Sequence, residues 1–80
     1  MICGHTLKAA RVLAGQPRAV IAARARIMPS TLERIENAGD KLVGSASSLA
    51  GIARALSEFG VYVSPTGEIS KVGFPANSVA

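Results

Sequence analysis

Residues 18–37, RAVIAARARIMPSTLERIEN, decide how this chain folds. The stretch reads as two short helices joined by a tight turn. Val20, Ile21 and Ala25 recur at the spacing that gathers apolar side chains on one helical face, and small Ala22 and Ala23 let a neighbour approach closely. Pro17 sits near the first turn, where its missing N–H costs nothing. Arg26, Ile27 and Met28 make the turn, and Pro29 and Ser30 open the next helix. Ser30 and Glu33 have the spacing of a capping box, the hydroxyl serving one orphan N–H and the carboxylate another. Leu32, Ile35 and Ala38 point inward and Gly39 ends the helix. The opposite face carries short polar and cationic side chains. That helix has one side for its own protein and one for something outside it.

Working outward, residues 6–14 form a first helix. Leu7, Ala10, Leu13 and Ala14 line its inner face, and Gly15 supplies the stop. After residues 40–48, a polar loop of small residues, a fourth helix covers 49–59 with Leu49, Ile52, Ala53 and Leu56 on one stripe, closed by Gly60. Then the period changes. Val61-Tyr62-Val63 is strand-like, and Ser64-Pro65-Thr66-Gly67 has Pro and Gly where a type I turn wants them. Residues 68–74 return as the second strand. A lone hairpin is barely stable, so it must lean on helix four or on another chain. The chain therefore divides into a helical domain at 1–60, a hairpin appendage at 61–74 and a frayed tail at 75–80. There are no internal repeats and no low-complexity tract.

Eighty residues hold one core. The hydrophobic fraction of 49% against 18% charged residues is enough to fold. With two Phe, one Tyr and no Trp, the core is built from Ala, Leu, Ile and Val, a marginal core that a partner subunit would help. The longest apolar run, residues 19–23, is far too short to cross a bilayer, and residues 1–4 offer no basic n-region or sustained apolar h-region of a secretory signal. A single cysteine, Cys3, makes no internal disulfide, which fits a reducing compartment. A cytoplasmic location is expected. The net charge of +4 is unevenly placed: residues 1–34 hold six Lys or Arg against Glu33 alone, while the rest holds three against four carboxylates. The cationic half is the half with the helix pair, which fits a polyanionic partner. A solvated arginine-rich surface would look the same.

Catalytic chemistry has little to work with. Cys3 and His5 lie close in sequence but lack the second pair of ligands that a zinc site needs. Ser30, Thr31 and the serines at 45–48 have no His or carboxylate constellation to activate a hydroxyl. The eight glycines are scattered rather than gathered into a phosphate-cradling loop. No enzyme, no metal, no cofactor and no small-molecule ligand are expected.

The runs LKAARVLAG at 7–15, IAARARI at 21–27, STLERIEN at 30–37 and LAGIARALSEFGV at 49–61 together resemble the Cro/repressor-type helix-turn-helix family, the xenobiotic-response-element family of bacterial and phage regulators. The likeness covers roughly residues 6–61, and the hairpin looks like the short C-terminal appendage of some compact members. It implies a mainly α fold: a compact four-helix, lambda-repressor-like domain with a short C-terminal β-hairpin. In that family the second helix spans the DNA backbone and the third enters the major groove. Carried over, Pro29, Ser30, Glu33 and Arg34 fall where side chains reach base edges; the Arg34 fork suits guanine O6 and N7. Arg18, in place of a glutamine, falls on a phosphate contact, as do Asn37 and Lys41 near the end of helix three. Arg11 and Glu36 match positions that pair helix one with helix three. Pro29 stands where a long polar reader is usual, and Arg26 where the turn favours glycine.

The expected function is that of a sequence-specific transcriptional regulator, a repressor-type protein binding double-stranded DNA as a homodimer. The alternative is a protein-interaction module of the same fold, an antitoxin or adaptor whose helix-three face meets protein. Arg24 and Arg26 could reach phosphate or simply solubilise helix two. Val61, Val63, Ile69, Val72 and Phe74 could be core or a dimer seam.

Overall fold

The computed structural model describes residues 2–72, and the tail expected at 75–80, with Phe74 at the end of the returning strand, lies outside the described residues. Four helices, α1 (Gly4–Ala14), α2 (Arg18–Ala25), α3 (Pro29–Glu36) and α4 (Ala46–Ser57), precede two strands, β1 (Val61–Val63) and β2 (Ile69–Lys71). The protein is thus mainly helical with a short antiparallel hairpin near its C-terminus. Among the described residues no helix is long and apolar enough to cross a membrane.

Helix α1 begins after an extended Cys3 and ends on Gly15 in the left-handed region, φ 70°. The Gly15 and Gln16 N–H groups donate to the Val12 and Arg11 carbonyls, closing the helix in a Schellman-like end. At its start, Gly4 N–H donates to the Lys41 carbonyl and His5 N–H to the Gly39 carbonyl, both at 2.9 Å. The loop after α3 therefore satisfies amides that α1 cannot. A Cβ on Gly4 would lie 2.6 Å from the Ile35 carbonyl oxygen, so only glycine admits this approach. Beside it, the Thr6 hydroxyl lies 3.3 Å from Cys3 Sγ and holds the thiol below its usual range.

The core gathers Leu7, Ala10, Ile21, Ala22, Ala25, Leu32, Ile35, Ile52, Ala55, Leu56 and Val61. Helix α2 packs most extensively on α4, and β1 on α1 and α4. The hairpin thus leans on α1 as well as on helix four. Its register pairs Val61 with Lys71, Tyr62 with Ser70 and Val63 with Ile69. Gly67 N–H donates to the Ser64 carbonyl at 2.9 Å across the turn.

Several expectations from the sequence need correction. Leu13 is exposed, because it sits off the stripe of Leu7, Ala10 and Ala14, and the polar Arg11 turns inward in its stead. Ala23 and Ala53 are also exposed. On α4 the inner face runs through Gly51, Ile52, Ala55 and Leu56, since α2 comes close enough to use the smallest residues as its contact. That helix also starts three residues earlier than expected, with the Ser45 hydroxyl accepting from Ser48 N–H at 3.1 Å. Ser30 and Glu33 form no capping box: Met28 is the extended N-cap and Pro29 the first helical residue, so Ser30 is already inside the helix. Helix α3 ends at Glu36, before Ala38 and Gly39.

Candidate nucleic-acid interface

Helix α3 is only eight residues long, and its two faces differ sharply. Leu32, Ile35 and Glu36 are buried, whereas Pro29, Ser30, Glu33, Arg34 and Asn37 are exposed. The exposed positions recur at i, i+1, i+4, i+5 and i+8, one continuous outward stripe. Lys41 is exposed just beyond it. Pro29 at the first helical position needs no N–H partner there, and Met28 ahead of it takes the extended backbone that a residue before proline prefers. Met28 is also 68% exposed, an apolar side chain at the rim of the stripe.

The turn between α2 and α3 rests on Arg26, with φ 62° and ψ 42°. Among the described residues it is the one non-glycine at positive φ. Its N–H donates to the Ala23 carbonyl and that of Ile27 to the Ala22 carbonyl, the same closure that Gly15 gives α1. An L-residue in this region costs about 1–2 kcal/mol, and the two carbonyl caps hold it there.

Beneath the stripe, α3 is bolted to α1 and α2 by one carboxylate. Glu36 has a fully buried side chain. Its Oε2 accepts from Arg11 Nε at 2.6 Å and its Oε1 from Arg11 Nη2 at 3.1 Å. Oε1 also accepts from Arg18 Nε at 2.9 Å. Arg11 Nη1 donates to the Gln16 carbonyl, so the Arg11 fork is spent inside the protein and its side chain is 13% exposed. Arg18, the first residue of α2, keeps 35% of its side chain exposed. The sequence assigned Arg18 to phosphate and did not foresee its bond to Glu36. The signal for it would have been that a carboxylate pairing α1 to α3 must also pass the start of α2.

Of the remaining cations, exposed Lys8, Arg54 and Lys71 lie on α1, α4 and β2, and the others divide by face. Arg24 pairs with Glu58 and lies over the Phe59 ring, 5.4 Å from its centroid, which commits it to the α4 side. Arg26, Arg34 and Lys41 are exposed and make no ion pair among the described residues. Glu33 and Asp40 are the exposed carboxylates in the same stretch. No group of His, Cys, Asp or Glu among the described residues has the makings of a metal site.

Comparison of the chain with known protein families, with curated proteins and with solved structures finds no significant match.

Proposed function

We propose that this protein is a sequence-specific DNA-binding regulator of the helix-turn-helix kind, with α2 crossing the phosphate backbone and α3 lying in the major groove. The observation that carries the reading is the outward stripe of α3: Ser30 and Arg34 stand in solvent while Leu32 and Ile35 hold the helix to the core. A helix entering a groove needs a firmly seated inner face and short polar or cationic side chains outside. Arg34 would read a guanine, Ser30 and Glu33 would reach neighbouring base edges, and Pro29 would make apolar contact. Arg18, Asn37 and Lys41 would fix register on phosphates. The protein would act as a homodimer in the cytoplasm, with the two α3 helices about 34 Å apart, one turn of DNA.

Selection of bound sequences from a random duplex pool tests this directly. A palindromic consensus is expected, and Arg34→Ala should cost about 1–3 kcal/mol concentrated at one base position. Equal loss of affinity for consensus and random duplex would remove Arg34 as a reader.

A second reading draws on Met28. Its exposed apolar side chain beside Pro29 and Glu33 suits a protein partner better than a phosphate-lined groove, as in an antitoxin or adaptor. Absence of gel retardation on any duplex at low salt would favour that reading.

A further inference from the structure

The Arg11–Glu36–Arg18 cluster holds two guanidinium groups against one carboxylate, and the two are used differently. Arg11 spends Nε, Nη2 and Nη1 on Glu36 and the Gln16 carbonyl. Arg18 spends only Nε, at 2.9 Å, and its two terminal nitrogens have no hydrogen-bond partner among the described residues. We infer that Glu36 is a positioning residue for Arg18: by holding Nε it fixes the plane of the guanidinium and presents Nη1 and Nη2 outward as a fork for one phosphodiester group. This rests on the nucleic-acid reading given above and adds a residue to it.

Three points on the structure support the assignment. Glu36 is fully buried and anchored from the other side by the bidentate Arg11, so it is a rigid post rather than a swinging surface carboxylate. Arg18 bonds through Nε to this buried carboxylate and still keeps 35% of its side chain exposed. The cluster carries one positive charge in excess, so the fork remains attractive to an oxoanion after its Nε is satisfied. A planar guanidinium can serve two acceptors at once along different edges, whereas an ammonium is a single point charge. Lysine at this position would offer its three donors from one nitrogen, so once that nitrogen is held on Glu36 it has no second edge with which to present a fork to a phosphate.

The test compares wild type, Arg18→Lys and Arg18→Ala by fluorescence anisotropy on a short random-sequence duplex, over a range of salt. Melting curves fix a temperature at which each is fully folded. The inference requires R18K to behave as R18A. Both should bind about tenfold more weakly, the loss of a charge-assisted contact, and both should lose about one unit of salt slope. In the free protein, the Arg18 Nε–H resonance should be slowed in solvent exchange relative to an unpaired arginine. If R18K binds like wild type, charge alone suffices and the positioning role is overturned while DNA binding stands. A purely structural Arg18 would move the melting curves and leave both affinity and slope untouched, which also overturns it. Wild type failing to bind any duplex overturns the nucleic-acid reading, and the inference falls with it.

Discussion

Arg26 holds a backbone conformation that suits glycine, the one such case among the described non-glycine residues, at a local cost to stability. Replacing it removes the steric cost of about 1–2 kcal/mol, offset by the extra freedom glycine gains when unfolded, about 0.5–1 kcal/mol. Arg26→Gly should therefore raise the melting temperature by a few degrees, read by thermal circular dichroism, and an unchanged or lower midpoint would mean that the arginine side chain makes a compensating contact. Glu36 works in the opposite direction. Glu36→Ala leaves the largely enclosed Arg11, 13% exposed, without its carboxylate, and removing one member of a buried pair costs about 3–5 kcal/mol. Against a total of about 5–15 kcal/mol for a protein of ordinary stability, urea melts should show the unfolding midpoint moved well to lower denaturant. At this scale the sequence was readable only in part. The Arg11–Glu36 pairing came from family likeness, and the third member did not, because Arg18 and Glu36 are distant in the chain and meet only once the turn at Arg26 has folded α2 back beside α3.

Among the elements, α2 and α3 have eight residues each, too short to persist alone in water. Their stability comes from what they touch, above all the contact of α2 with α4. Gly51 sits where that contact is tightest: a Cβ there would be 2.8 Å from the Ala25 carbonyl oxygen. Gly51→Ala should accordingly destabilise the protein by about 1–3 kcal/mol despite the better helix propensity of alanine, and a stabilised variant would mean that the two helices can part without penalty. Ala25 is the last residue of α2, immediately before Arg26, so the same strain would reach the turn. Period and stop signals found all four helices and the hairpin. They misplaced the start of α4 because the Ser45 cap lay hidden in a run of serines, and the inner stripe because it depends on how closely α2 approaches, which residue size along one stretch of sequence does not report. The Ser30–Glu33 spacing misled for a related reason. Proline fixed the first helical position one residue ahead of Ser30, leaving the serine no orphan N–H to cap.

For the whole molecule, folding sorts the charge. Arg11 and Arg18 share Glu36, and Arg24 takes Glu58, which leaves Arg26, Arg34 and Lys41 exposed along the turn, α3 and the loop beyond it, besides exposed Lys8, Arg54 and Lys71 on α1, α4 and β2. The outward stripe could be anticipated from sequence since helical periodicity sets it. Its sparing of Arg26 and diversion of Arg24 could not, because ion pairing is decided between elements. The two hydrogen bonds from Gly4 and His5 to the carbonyls of Lys41 and Gly39 have a practical outcome. They lash the far end of the proposed recognition region to the start of α1, with the His5 imidazole lying alongside Gly39. A molecule settling on Asn37 and Lys41 would shift the ring's magnetic environment without touching it, making that histidine a built-in spectroscopic sentinel for occupancy.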